Sequence, residues 1–300
     1  MTTLLLIALA GLAAQLVDGG LGMGFGVTST TILIALAGLG PAQASAVVHT
    51  AELGTTLASG ISHWRFGNVD WKVVRRLAIP GAIGAFAGAT VLSNLSLEAA
   101  VPLTATILSL IGANLVWRFS RGRVRRNVGG EHSRGFLGGL GLFGGFIDAS
   151  GGGGWGPVTT STLLTVGRAE PRRIVGTVNT AEFLVTAAAT VGFAIGLWDD
   201  LVANMAAVAA LLIGGVIAAP IAAWLVTRTN PAALGGIVGT LLVAINLPRV
   251  LPVGWGGVVL LVLVGLGLSW IGYLRSRAAV EERVTGSASE PVGQDAPVRQ

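Results

Sequence analysis

The chain has 300 residues, 52% of them hydrophobic and only 11% charged, with a net charge of +5 and no cysteine. A soluble domain carries about 25% charged residues, and here apolar stretches long enough to cross a roughly 30 Å hydrocarbon core recur as far as Arg275, so 1–275 reads as one transmembrane domain. The lack of cysteine excludes disulfides and thiol chemistry, and arginines set in loops between apolar spans read as cytoplasmic retention signals rather than a nucleic-acid surface.

The first apolar segment, Leu4–Val17, lacks the basic n-region of a signal peptide and is kept as mature structure. It runs into Asp18 and a glycine-rich stretch, after which a second short segment, Phe25–Gly38, follows. At 1.5 Å per residue, about 14 residues reach only about 21 Å, so neither segment is expected to span alone. The pair is a broken helix or a re-entrant hairpin with its tip inside the membrane. Full spans are expected at Gln43–Ser62, Leu77–Leu92 and Leu97–Trp117. The pattern then restarts with Gly135–Ile147, Asp148 and more glycines, and Trp155–Val166. Spans at Ile174–Leu197, Leu201–Val226 and Ala232–Leu247 follow, with an extra one at Gly254–Tyr273. The polar tail 276–300, rich in Gly, Ser and Pro, is expected to be disordered and cytoplasmic.

Sliding the chain against itself by 130 positions needs no gap across the best region. Asp18 falls on Asp148, and Gly22, Gly24 and Gly26 fall on Gly152, Gly154 and Gly156. Val48, Thr50, Ala51, Glu52 and Thr56 fall on Val178, Thr180, Ala181, Glu182 and Thr186. Apolar bias can align Leu with Val, but it does not bring two acids into register in a chain this poor in acids. Basic loops at Arg65–Arg76, Arg118–Arg134 and Arg168–Arg173 are placed in the cytoplasm by the positive-inside rule. Returning from the second of these to the third on the same side makes 135–166 a hairpin. By analogy 4–38 is one also, so the first half begins outside and the second inside. If one short pair were instead a single broken crossing, Arg168, Arg172 and Arg173 would lie outside. The fold class is therefore all-α: a polytopic transmembrane helix bundle of two inverted-topology repeats, about 4–117 and 135–247, plus one C-terminal helix.

Inverted repeats with glycine-interrupted short segments point to a transport site near the bilayer midplane. The candidate substrate-binding residues are Gly22, Gly24 and Gly26 at the first tip and Gly152, Gly153, Gly154 and Gly156 at the second. Their uncovered N–H groups and the helix starts near Phe25 and Trp155 favour an anion. His49, Thr50, Asn179 and Thr180 are the candidate side-chain donors, although membrane threonines commonly bond back to their own helix. Asp18, Glu52, Asp148 and Glu182 fall inside spans, where a charge costs at least about 2.5–3.5 kcal/mol, so they are read as coupling or structural acids. No arginine or lysine lies centrally in any assigned span. Neither GxxxxGK[ST] nor HExxH occurs, which argues against ATP-driven pumping and a membrane metalloprotease, and with no cysteine and three histidines no metal or cofactor is expected; the chain is read as a non-enzyme.

Three strings carry a family resemblance: Val17–Gly26 (VDGGLGMGFG), Ser62–Asp70 (SHWRFGNVD) and Asp148–Pro157 (DASGGGGWGP). With them the chain resembles the TauE/SafE family of sulfite and organosulfonate exporters over about residues 4–275. The family's glycine-rich run ending near Pro is kept in the second half through Pro157, whereas the first half has Val27 at the Pro position and Met23 within the run. The resemblance implies an inner-membrane secondary carrier exporting small sulfur-containing anions. Its partners are the bilayer and the anion, not nucleic acid, and a homodimer is left open. The rival readings are an anion channel using the same tips and a membrane-embedded enzyme using an Asp/Glu pair. The charge bias places the N-terminus outside and the C-terminus in the cytoplasm. Reporter fusions at the two ends should report opposite sides, and finding both on one side would refute the inverted repeat as drawn.

Overall fold

A computed structural model of the protein describes residues 2–21, 23–121, 130–166, 168–226 and 230–288. Among these residues all regular structure is helical. The first half consists of α1 (Thr2–Leu21), α2 (Phe25–Leu36), α3 (Pro41–Arg65), α4 (Trp71–Asn94) and α5 (Leu97–Ser120). The second consists of α6 (Arg134–Gly151), a π-helical turn (Gly156–Thr160) leading into α7 (Ser161–Val166), α8 (Pro171–Gly196), a short α9 (Trp198–Ala203), α10 (Met205–Val226) and α11 (Pro231–Asn246). A long α12 (Trp255–Ala288) follows. Five described helices are long and apolar enough to cross a membrane.

Local sequence explains where the helices start. Proline stands at the first position of α3, α8 and α11, where its missing N–H removes nothing from the helix. Asp70 accepts from the Lys72 and Val73 amides at 3.0 and 3.2 Å and so starts α4. Ser133 accepts from the Phe136 amide at 3.2 Å and starts α6.

Two boundaries differ from the sequence reading. The first helix of each pair is longer than the expected 14 residues or so: α1 has 20 residues and α6 has 18. Asp18 and Asp148, with the glycines beside them, stay helical, and the break falls after Leu21 and Gly151. These helices extend about 30 and 27 Å rather than about 21 Å, yet neither is among the five described helices long and apolar enough to cross a membrane. α2, with 12 residues, and the π-turn with α7 are shorter still. The second difference lies at the C-terminus, where α12 continues past Tyr273 to Ala288. The tail expected from 276 is thus helical over its first part; 289–300 lie outside the described residues.

The two halves exchange partners. α1 packs on α10, and α6, its counterpart, packs on α4; α3 and α8 pack on each other, as do α5 and α11. Glycine makes these approaches close. A Cβ on Gly11 would land on the Leu211 carbonyl, and one on Gly141 would land on the Leu77 carbonyl. Leu77 and Leu211 differ by 134 positions and Gly11 and Gly141 by 130, because the linker carrying α9 adds residues to the second half. Gly112 and Gly239 abut reciprocally, each Cβ position lying 2.6–2.7 Å from the other's carbonyl oxygen. Lipid tails are as apolar as leucine, so helix association in a bilayer relies on this close backbone packing. Large apolar residues such as Leu5, Ile83, Ile195 and Trp255 are exposed on the outside, as a lipid-facing surface requires.

Gly84 sits where a Cβ would strike the Leu142 carbonyl, while at Gly139 a Cβ would meet nothing within 4 Å. Gly84→Ala should therefore destabilise the purified protein by about 1–3 kcal/mol through overpacking. Gly139→Ala should be neutral or stabilising by about 0.4–1 kcal/mol. Denaturant unfolding in detergent measures both, and equal effects would show that the α4–α6 contact does not control stability.

Candidate functional site

The site is built on the two breaks. After α6 the chain passes through Gly152, Gly153 and Gly154 with φ of 74°, 132° and 156°, a run that side chains other than hydrogen rarely allow. Gly24 at the first break has φ 116°. Non-helical backbone inside a membrane must find its hydrogen bonds within the protein. Asp148 supplies several: its carbonyl accepts from Gly153 N at 2.7 Å, and its Oδ1 accepts from Trp155 N at 2.8 Å. Asp18 makes the matching bond to the Phe25 amide, again seven residues on. Thr30 Oγ1 donates to the Gly152 carbonyl and Thr104 Oγ1 to that of Ser150 at 3.2 Å, tying the second break to α2 and α5.

The other oxygen of Asp148 meets His49. His49 Nδ1 lies 2.8 Å from the Ser45 carbonyl, which can only accept, so Nδ1 carries a hydrogen. His49 Nε2 lies 3.2 Å from Asp148 Oδ2. A neutral ring with its hydrogen on Nδ1 would set two lone pairs against each other there, so the His49–Asp148 pair holds one further proton between imidazole and carboxylate. Both residues are buried. Trp155, fully buried, donates Nε1–H to the Val178 carbonyl at 3.1 Å and anchors the second tip to α8.

The tips cross at closest backbone approach. A Cβ on Gly26 would lie 2.8 Å from Gly153 Cα, and one on Gly156 would lie 2.7 Å from Met23 Cβ. The 130-residue offset exchanges these two contacts, because it takes Gly26 to Gly156 and Met23 to Gly153. Beside the crossing is a cavity of about 80 Å³. Its wall draws on both halves: Gln15 and Asp18 of α1, Met23–Val27, Glu52, Thr55, Thr56 and Ser59 of α3, Asp148, Gly154–Pro157, and Asn179 and Glu182 of α8. Four carboxylates thus face one small space, and none of the lining residues is Lys or Arg. The first-turn amides of α2 and of the π-turn have no acceptor within their own helix and lie at the same wall.

Of the residues singled out from sequence, Gly24, Gly26, Gly154, Gly156, Asn179 and the acids Asp18, Glu52, Asp148 and Glu182 line the cavity. Gly152 and Gly153 shape the break against Thr30 and Gly26 without lining it. His49 also lies behind the wall, held by Ser45 and Asp148. Thr50 and Thr180 donate back to Ala46 and Gly176 of their own helices, both at 2.7 Å, so their hydroxyls are not directed at the cavity. Gly22 lies outside the described residues. Sequence reasoning missed Gln15, Thr55, Thr56 and Ser59. Helical spacing could have found them, since positions 52, 55, 56 and 59 share one face and Gln15 is three residues before Asp18.

Multi-pass helices, reciprocally packed halves and a polar cavity where two glycine breaks cross define a membrane protein of the transporter class. The chain matches the family described as Sulfite exporter TauE/SafE over residues 7–248, and it belongs to that family. It is 48% identical over 236 residues to the "Probable membrane transporter protein YtnM" of Bacillus subtilis (strain 168), covering 77% of each chain. No solved structure matches it.

The bond from Trp155 N to Asp148 gives a stability test. Asp148→Ala leaves that buried amide without its acceptor and should lower the unfolding free energy by about 1–3 kcal/mol. Asp148→Asn keeps an oxygen for it and should retain most of the stability. Equal losses in thermal unfolding of the two variants would mean that the cap is not what the aspartate contributes.

Proposed function

We propose that this transporter is a secondary carrier that exports a small oxyanion, of the sulfite or organosulfonate type, by alternating access at the cavity between its two repeats. The carrying observation is a single cavity of about 80 Å³ lined from both halves and bounded by two broken helices. That volume suits an anion of a few heavy atoms. Helix N-termini, the second amide hydrogen of Asn179 and the Ser59 hydroxyl are the donors that would hold its oxygens. The two halves begin on opposite sides of the membrane in this reading, so rocking one against the other opens the cavity alternately to each side. The N-terminus is then external, and the loops with the basic residues are cytoplasmic.

Protons enter because of the four carboxylates. An anion cannot share so small a space with several ionised acids, and like charges this close do not all ionise together. Protonated Glu52 and Glu182 would remove that repulsion and add O–H donors. Anion and proton therefore occupy the cavity together, and the carrier couples their movement.

The sign of the pH effect follows. Protonation favours the anion, so sulfite affinity should rise as pH falls, by at most about tenfold per pH unit for each linked proton. Glu182→Gln mimics the protonated acid and should keep binding at high pH while flattening the dependence. Sulfite flux in proteoliposomes should likewise be driven by an imposed pH gradient. A pH-independent wild type whose flux ignores the gradient would leave a channel in place of a coupled carrier.

A further inference from the structure

The loops on the basic face enclose a second, much larger cavity of about 550 Å³. The α3–α4, α5–α6 and α7–α8 connections all contribute to it, so it too is shared between the halves. Five cations line it: Lys72, Arg76, Arg168, Arg172 and Arg173. Three carboxylates answer them. Lys72 Nζ pairs with Glu131 at 2.5 Å, Arg172 with Glu170 at 2.8 Å and Arg173 with Asp70 at 3.5 Å. The Lys72 contact holds the Glu131 carboxyl below its usual range, so that acid stays ionised. Arg76 and Arg168 have no carboxylate within ion-pair distance among the described residues, although one Arg168 nitrogen donates to the Glu131 carbonyl. Burial, then the neighbouring Arg168 charge, holds the His132 imidazole below its ordinary range, so the excess charge resides on the two guanidinium groups.

The backbone adds to the same field. α4 and α8 begin at this cavity, their first turns lining it through Lys72, Val73, Arg172 and Arg173, so the positive ends of both dipoles lie there. Five cations against three carboxylates leave the lining with an excess of two positive charges, and a cleft with a net positive field concentrates anions near it. The contrast with the central cavity decides what this one is for. The central site has four carboxyl groups and no Lys or Arg in its lining, so it offers an anion in bulk solution no long-range attraction.

We propose that this loop cavity is a second anion site, an antechamber in which Arg76 and Arg168 hold a small multivalent oxyanion before it enters the central site. Guanidinium groups suit the role because each can present two parallel N–H donors to an oxyanion. The proposal deepens the carrier reading and rests on it for the second step alone; binding in the loops stands without it.

The test uses the full chain in detergent, with radiolabelled sulfite as the probe in equilibrium binding. Wild type should bind two sulfite ions per chain. Arg76→Gln/Arg168→Gln should bind one, with the remaining affinity changed less than about threefold, and Arg76→Lys/Arg168→Lys should recover part of the second. Asn179→Leu should lose the other ion and keep the loop one. In proteoliposomes the double Gln variant should show a KM for sulfite about tenfold higher with kcat within about twofold, and the wild-type advantage should shrink as salt rises. Two ions retained by the double Gln variant would overturn the antechamber and leave the carrier reading standing. One ion in wild type, lost with the arginines and indifferent to Asn179→Leu, would keep the loop site and overturn the central one. Phosphatidylglycerol displacing the loop-bound sulfite, where phosphatidylcholine does not, would assign the arginines to lipid headgroups and overturn the antechamber.

Discussion

Everything at the centre of this protein depends on ending two helices inside a membrane. Water cannot satisfy the freed N–H and C=O groups there, and each one left unpaired in hydrocarbon costs several kcal/mol. The solution is an aspartate one turn before each break whose side chain reaches over the glycines to the amide that starts the next helix. Asp148 does this for Trp155 and Asp18 for Phe25. The glycines are needed because the chain between cap and capped residue runs through positive φ, and because the tips touch backbone to backbone at Gly26 and Gly153. Cap and glycine therefore belong to one device. The aspartate permits the break, the break turns helix starts toward a common space, and that space is the cavity.

The same economy of side chains holds the rest of the bundle together. Gly112 against Gly239, Gly11 on the Leu211 carbonyl and Gly141 on the Leu77 carbonyl bring helix axes close without polar glue. Because α1 packs on α10 and α6 packs on α4, each in the opposite half, neither half is a closed unit. Each one supplies a broken helix to its partner's scaffold. A relative movement of α1 with α10 against α4 with α6 would pass between these pairs, at the level where the two tips cross.

Much of this was legible in the sequence because charge is so scarce in it. Acids repeating at an offset of 130, beside glycines, can be aligned by eye, and they located Asp18, Glu52, Asp148 and Glu182 on one cavity. Hydropathy misplaced the breaks, because it treats Asp and Gly as the end of a helix, whereas buried Asp148 is helical and Gly151 still follows it in the same helix. Thr50 and Thr180 drew notice by matching across the offset, yet a hydroxyl in a membrane helix is most easily satisfied by the carbonyl four residues back. Thr55 and Ser59 have no matching residue in the second half and escaped a search based on repetition. A search by helical face from Glu52 would have reached them.

The offset of 130 aligns the two halves in sequence, but the residues at the centre differ at several aligned positions. The offset takes His49 to Asn179. His49 turns away from the cavity and shares a proton with Asp148, so one oxygen of that aspartate is committed to the ring and the other to Trp155 N. Asn179 instead lines the cavity and donates to Ser59 Oγ at 3.2 Å, which makes its amide part of the wall. Asp18 has no imidazole at the equivalent place. The second break is therefore clamped on both carboxylate oxygens, whereas among the described residues the first is clamped through the Phe25 amide. The departures of the first glycine run, Met23 within it and Val27 where the second half has Pro157, fall on that same less constrained side. The asymmetry between the two tips is thus built into their caps.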